Sequence, residues 1–183
     1  MFASSEDLTI VEVFADVCCP FTHVGLRRMS DQRQRLGQRD LSLWVRAWPL
    51  EIVNGDPLDP TMIAEEVDAL RSSVAPDLFA SFDPSSFPST SIPALALAAA
   101  GYRHDARTGE AVSLELRALL FEQGRDISDS AVLAEVERRF DVRAEQRDVD
   151  SVRSDHREGR ERDVIGSPHF FTPGGSYFCP TLE

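Results

Sequence analysis

The stretch that most constrains this chain is LTIVEVFADV, residues 8–17, followed at once by CCPFTHVG. Leu8, Ile10, Val11, Val13 and Phe14 leave almost no polar alternation. A β-prone run of this kind reads as a strand buried on both faces, as in the parallel sheets of α/β folds. Pro20 suits the first turn of a helix, where a missing N–H costs nothing, and Leu26, Met29 and Leu36 follow at helical spacing until Gly37 ends it. Leu41, Leu43, Val45 and Ala47 alternate with Ser42, Trp44, Arg46 and Trp48, so a second strand with two unlike faces is expected. Residues 8–48 thus read as a strand–helix–strand unit.

The texture then changes. EIVNGDPLDP reads as a linker ending in an N-cap, Asp59, with Pro60 at the first helical position. Ile63, Val67, Leu70 and Val74 form a helical stripe. Residues 76–90 are a proline-punctuated loop carrying Phe79, Phe82 and Phe87, which pack onto a helical cap or line a cleft beneath it. Helices are expected over about 92–102, 108–123 and 129–140, the last capped by Ser128, and a polar surface helix over 144–163. VIGSPHFF and SYFCPTLE, separated by TPGG, read as a closing β-hairpin. The fold expected is α/β: a mixed sheet, from residues 1–55 and 144–183, interrupted by a helical subdomain at 56–143.

Charge and cysteine usage narrow the function. A formal net charge of −12 and a pI near 4.7 repel nucleic acid and anionic membrane surfaces. MFASSEDLTIVEVF lacks the basic start of a secretory signal, and no stretch approaches the ~20 apolar residues of a membrane span, so a cytoplasmic location is expected. Thiols stay reduced there, and Cys18, Cys19 and Cys179 are too few for a disulfide framework. A reactive thiol remains open, whereas no Cys/His cluster has the spacing of a metal site.

Two segments about 140 residues apart carry a further signal. DVCCPFTHVG resembles the D-x-x-C-P-[aromatic]-C-x-x-G signature of the DsbA/FrnE-like branch of the thioredoxin superfamily, and GSPHFF is similar to its G-[Val/Thr]-P-[aromatic-rich] segment. The resemblance implies a thioredoxin-like sheet with an inserted helical subdomain. It implies that Cys19 is an exposed nucleophile, that Pro20 and Phe21 fill the motif's dipeptide, and that Pro168 is a cis-proline facing the thiol. Ser167 would pair its backbone with a bound thiol peptide, and His169 would reach the same groove. Thr22 stands where the family's second cysteine belongs, so the implied activity is monothiol: thiol–disulfide exchange through a mixed disulfide at Cys19, resolved by an external thiol. No bound cofactor is implied; glutathione, or a cysteine-containing peptide or protein, is the implied partner. The family's closing helix is missing after Glu183, which reads as a truncation.

The residues argue for this chemistry independently. A thiol at a helix N-terminus faces unpaired amides and the positive end of the dipole, which favours thiolate and lowers the pKa from ~8.5. The Thr22 hydroxyl, one turn in, is placed to donate to the Cys19 sulfur. Against this, Cys19 also reads as a small buried hydrophobe at a strand end, and Cys18 as core. Cys179 reads as structural, His23 as a half-exposed helix residue, and His104 and His156 as surface residues. Asp16 is either an acid beneath the thiol, serving as a proton relay, or a solvated strand-end carboxylate. Two other functions fit the same layout. One is a glutathione-dependent transferase or isomerase of the kappa or hydroxychromene-carboxylate type, whose members usually carry serine where Cys19 stands. The other is a binding module without turnover.

Overall fold

The computed structural model describes residues 9–38 and 40–179. Its first three elements follow the sequence pattern: β1 (Thr9–Ala15), α1 (Pro20–Leu36) and β2 (Leu41–Ala47). Cys19 is the N-cap of α1 in an extended conformation, and Gly37 closes the helix at φ 65°. The Gly37 and Gln38 amides return to the carbonyls of Gln34 and Arg33, a geometry that a residue with a Cβ resists.

Five helices follow: α2 (Leu50–Asn54), α3 (Pro60–Ser72), α4 (Ile92–His104), α5 (Ala106–Phe121) and α6 (Ser130–Phe140). Then come α7 (Gln146–Glu161), β3 (His169–Thr172) and β4 (Gly175–Phe178). The described strands form one mixed sheet in the order β2-β1-β3-β4, with β1 parallel to β2 and antiparallel to β3. This is the α/β, thioredoxin-like arrangement with helices inserted between β2 and β3.

Several details differ from the sequence reading. The segment expected to be a linker contains α2, a helix of 5 residues between Pro49 and Gly55. The cap of α6 is Asp129, whose side chain accepts from the Ala131 amide, while Ser128 turns back to Asp126. Residues 164–168 are loop, and β3 begins only at His169. β1 is fully buried only at Val13, Phe14 and Ala15, since Ile10 is 45% exposed. Leu8 and the PTLE end of the expected hairpin lie outside the described residues.

β2 is an edge strand, and its outward groups are capped by side chains rather than by another strand. Leu43 donates its amide to Glu110 Oε2 at 2.9 Å, Val45 to Tyr102 Oη at 2.9 Å, and Ala47 to Asp155 Oδ2 at 3.0 Å. Tyr102 in turn donates to the Leu43 carbonyl at 2.9 Å. Helices α4, α5 and α7 thus seal the edge with hydrogen bonds, which blocks strand addition there.

The apolar material divides accordingly. Val67, Leu70, Leu97, Leu116, Leu120 and Phe121 fill the interior of the helical insertion, and Val13, Leu26, Leu43 and Phe170 lie between the sheet and its α1 side. The polar helix α7 covers the other side through Gly159, where a Cβ would stand 2.6 Å from the Trp48 ring. Arg46 fastens it further, bridging Glu12 on β1 to Asp155 and Glu158. Among the described residues no helix is long and apolar enough to cross a membrane.

Candidate functional site

The end of β1, the head of α1 and the loop before β3 meet at one point. The Ser167–Pro168 peptide bond there is cis. Cys19 Sγ donates to the Ser167 carbonyl oxygen at 3.2 Å, across 148 residues of sequence. The Ser167 hydroxyl stands 2.9 Å from Thr22 Oγ1 and accepts the Asp16 amide at 2.9 Å. Because Ser167 Oγ already accepts from Asp16, it is free to donate to Thr22, leaving the Thr22 proton for the Cys19 sulfur.

Asp16 anchors a second layer. Its Oδ1 accepts the Cys18 amide at 2.8 Å, and Oδ2 accepts the Leu50 amide at 2.6 Å and the Ser91 hydroxyl at 3.2 Å. The carboxyl is fully buried, which excludes the solvated alternative. Beneath it lies Arg117 of α5, 1% exposed, donating to the Asp16 carbonyl at 3.1 Å and to the Ser113 carbonyl and hydroxyl. Burial pushes the Asp16 carboxyl above the usual carboxylate range, against the Cys18 and Leu50 amides and the Arg117 charge.

Cys19 is not the exposed, acidic thiol that its position at a helix N-terminus implied. It is 4% exposed. Burial pushes its thiol up, and the hydrogen bonds from Thr22 and Ser167 oppose that shift without cancelling it. The resting sulfur is therefore a neutral thiol, consistent with its donating to a carbonyl. Cys18 packs in the helical core, where burial first and the Asp16 charge second push its thiol well up. No disulfide joins Cys18, Cys19 and Cys179.

The remaining residues of interest divide between this cluster and its surroundings. Pro20 is buried in the first turn of α1, and Phe21 is half-buried against the helical core. His169 is engaged on the opposite sheet face: its ring accepts from the Ile165 amide, meets Ser176 Oγ at 3.2 Å and stacks on Phe171. His23, expected to be half-exposed, is 2% exposed and lies 2.6 Å from Glu122 Oε1. Phe79 and Phe121 enclose it, so its partner comes from a distant helix end that local periodicity does not reveal. Arg117, Ser91 and Glu122 did not stand out in the sequence. The signal for Arg117 is its position one residue after Leu116 and three before Leu120, which puts a charge on the flank of a buried stripe.

The Glu122 pair has a measurable consequence. Burial raises the Glu122 carboxyl, but His23 and the amides of Phe79 and Ala80 outweigh it and hold it at about 2. Burial pushes His23 down, so near neutral pH it is a neutral ring donating to a carboxylate. A depressed carboxyl stabilises the fold above its unfolded value and loses that contribution as pH falls. Between pH 4.5 and about 2, the Glu122→Gln variant should lose less stability than the wild type in urea titrations. Parallel losses would show that the pair does not form.

The comparisons agree on the architecture. No curated protein sequence matches the chain. Among solved structures, a 2-hydroxychromene-2-carboxylate isomerase superimposes with a TM-score of 0.67 at 15% identity, covering 93% of this chain and 88% of that one. A putative protein disulfide isomerase from Nitrosomonas europaea gives 0.71 at 11% identity, with coverage of 93% and 88%. The cytosolic disulfide reductase DsbM from Pseudomonas aeruginosa gives 0.64 at 16% identity, with coverage of 92% and 87%. At these identities the likeness is one of fold. The model of the DSBA-like thioredoxin domain matches residues 10–181, which takes in β1, the Cys19 turn, every inserted helix and the cis-proline hairpin. The chain belongs to the DSBA-like thioredoxin domain family.

Proposed function

We propose that this protein is an enzyme, a thiol–disulfide oxidoreductase whose nucleophile is Cys19. The observation that carries this reading is the position of its sulfur, at the head of α1 and 3.2 Å from the carbonyl that precedes Pro168. At rest that carbonyl holds the S–H, and burial keeps the sulfur neutral. An extended cysteinyl peptide adding to the backbone at Ser167–Pro168 competes for the same carbonyl and releases the thiol. The proton leaves to solvent, and the first-turn amides and the Thr22 hydroxyl stabilise the thiolate. The sulfur then attacks a substrate disulfide: one S–S bond forms at Cys19, and the substrate's other sulfur leaves as thiolate.

Thr22 cannot complete the exchange, so the second thiol comes from outside the motif. A structure of DsbM with GSH, similar in fold, supports glutathione as one such thiol; a cysteine-containing peptide or protein is the other partner class. In this reading residues 1–55 and 144–183 supply the exchange site, and the helical subdomain at 56–143 covers it. A reducing cytoplasm suits a thiol used in this way.

The test is glutathione-dependent reduction of a small disulfide such as 2-hydroxyethyl disulfide. The wild type should turn over, and Cys19→Ser should lose about a hundredfold or more of that rate. Equal rates would overturn the reading. The buried Thr22–Ser167 hydroxyl pair, together with the likeness to the isomerase, favours one other reading, a glutathione-dependent transferase or isomerase. Such an enzyme binds reduced glutathione without a covalent bond, so clear calorimetric binding by Cys19→Ser would support it instead.

A further inference from the structure

The hairpin that presents Pro168 also carries the chain's third thiol. β4 pairs with β3 so that His169 faces Phe178, and the next residue, Cys179, donates its amide to the Pro168 carbonyl at 2.9 Å. Cys19 Sγ bonds the carbonyl of the adjacent residue, Ser167. The thiol of one cysteine and the backbone amide of another, from opposite ends of the sequence, therefore bond to the carbonyls of two adjacent residues, Ser167 and Pro168. Pro168 and Cys179 flank the first pair of the β3–β4 ladder, one residue outside each strand, and Cys179 turns out of the strand path with φ 43°.

Cys179 directly follows β4, which lies at the sheet edge, pairs only with β3 among the described strands, and is exposed at all four positions. Cys179 is half-exposed, whereas Cys19 and Cys18 are buried. A disulfide needs Cα atoms roughly 4.4–6.8 Å apart, and drawing in the end of an edge strand costs less than unwinding the head of α1.

We propose that Cys179 is the resolving thiol of this enzyme, doing from the end of the β3–β4 hairpin what a second motif cysteine does from the helix. Cys19 thiolate attacks glutathione disulfide, forming a Cys19–glutathione bond and expelling one glutathione thiolate. Cys179 thiolate attacks the Cys19 sulfur, expels the second glutathione and leaves a Cys19–Cys179 disulfide. Two protein thiols are oxidised and one glutathione disulfide is reduced to two glutathiones, whose protons come from the two cysteines through solvent.

This inference rests on Cys19 being the nucleophile, and one experiment separates the two claims. Wild type, Cys179→Ser, Cys179→Ala and Cys19→Ser proteins are exposed to glutathione disulfide, quenched with N-ethylmaleimide and mapped by non-reducing peptide mass spectrometry. The expected wild-type product is the cross-linked Cys19–Cys179 peptide. Both Cys179 variants should accumulate Cys19–glutathione about tenfold or more above the wild-type level. Equal accumulation in wild type and variants, with no cross-linked peptide, overturns the role of Cys179 and leaves Cys19 as the nucleophile. Absence of any Cys19 adduct in the Cys179 variants overturns both claims. The serine and alanine variants agree if the loss is that of the thiol; a defect confined to one of them reports altered packing and contradicts the role.

Discussion

Replacing Arg117 with alanine should destabilise the protein by about 3–5 kcal/mol, the cost of removing one partner from a buried charged network. The guanidinium is 1% exposed and gives hydrogen bonds to the Asp16 and Ser113 carbonyls and the Ser113 hydroxyl. Its charge also faces the Asp16 carboxyl, which is wholly buried and otherwise held only by neutral donors. Alanine removes that compensation and the guanidinium bonds to the Asp16 carbonyl and the Ser113 carbonyl and hydroxyl, and opens a cavity the size of an arginine side chain. Arg117→Met separates volume from charge: if packing dominates, it should recover most of the loss; if charge dominates, little. Urea denaturation followed by far-UV circular dichroism reads both. A loss below about 1 kcal/mol in the alanine variant would mean that the cation is not part of the network.

The second large effect is a gain. Thr22→Cys should form an internal disulfide with Cys19 under mild oxidant and raise turnover of protein disulfides about tenfold or more. Position 22 is fully buried, on the turn that Cys19 caps, and its side chain already points into the Cys19–Ser167 cluster. A thiol there shares a helical turn with the nucleophile and should engage it ahead of Cys179, which approaches from the end of the β3–β4 hairpin. The exchange costs a hydroxyl hydrogen bond to Ser167, about 1 kcal/mol, so the variant should fold. Non-reducing peptide mapping and an insulin reduction assay check the two parts. A variant whose introduced thiol stays reduced while Cys19 reacts elsewhere would mean that position 22 does not face the sulfur.

The framework of this fold lies in patterns of short range. The run from Ile10 to Phe14, the proline after Cys19 and the alternation from Leu41 to Ala47 each report their element because burial and period act within one segment. The cysteine turn and Ser167–Pro168 were legible as a pair because each has a local signature, and the sheet order brings them together. What escaped notice depends on long-range contacts. α2 has five residues, too few for a stripe, and its amide at Leu50 is held by Asp16. In DISDS, residues 126–130, three neighbouring side chains compete for one cap, and only the backbone path selects Asp129. The burial of His23 follows from Phe79, Phe121 and Glu122, which come from the insertion. The same holds for Cys19: a helix N-terminus lowers a thiol's pKa, but the lid formed by the cis-proline loop buries the sulfur, and desolvation outweighs the amides.

That balance also makes the central claim measurable. Reaction with an aromatic disulfide that releases a coloured thiolate can be followed by stopped flow across pH, with the modified peptide identified by mass. The protein should be modified at Cys19, and the rate there should keep rising with pH beyond the ordinary thiol value of about 8.5, because burial holds the resting sulfur neutral. A Cys19 peptide that stays unmodified at every pH would contradict the account, and so would a rate that levels off below neutral pH.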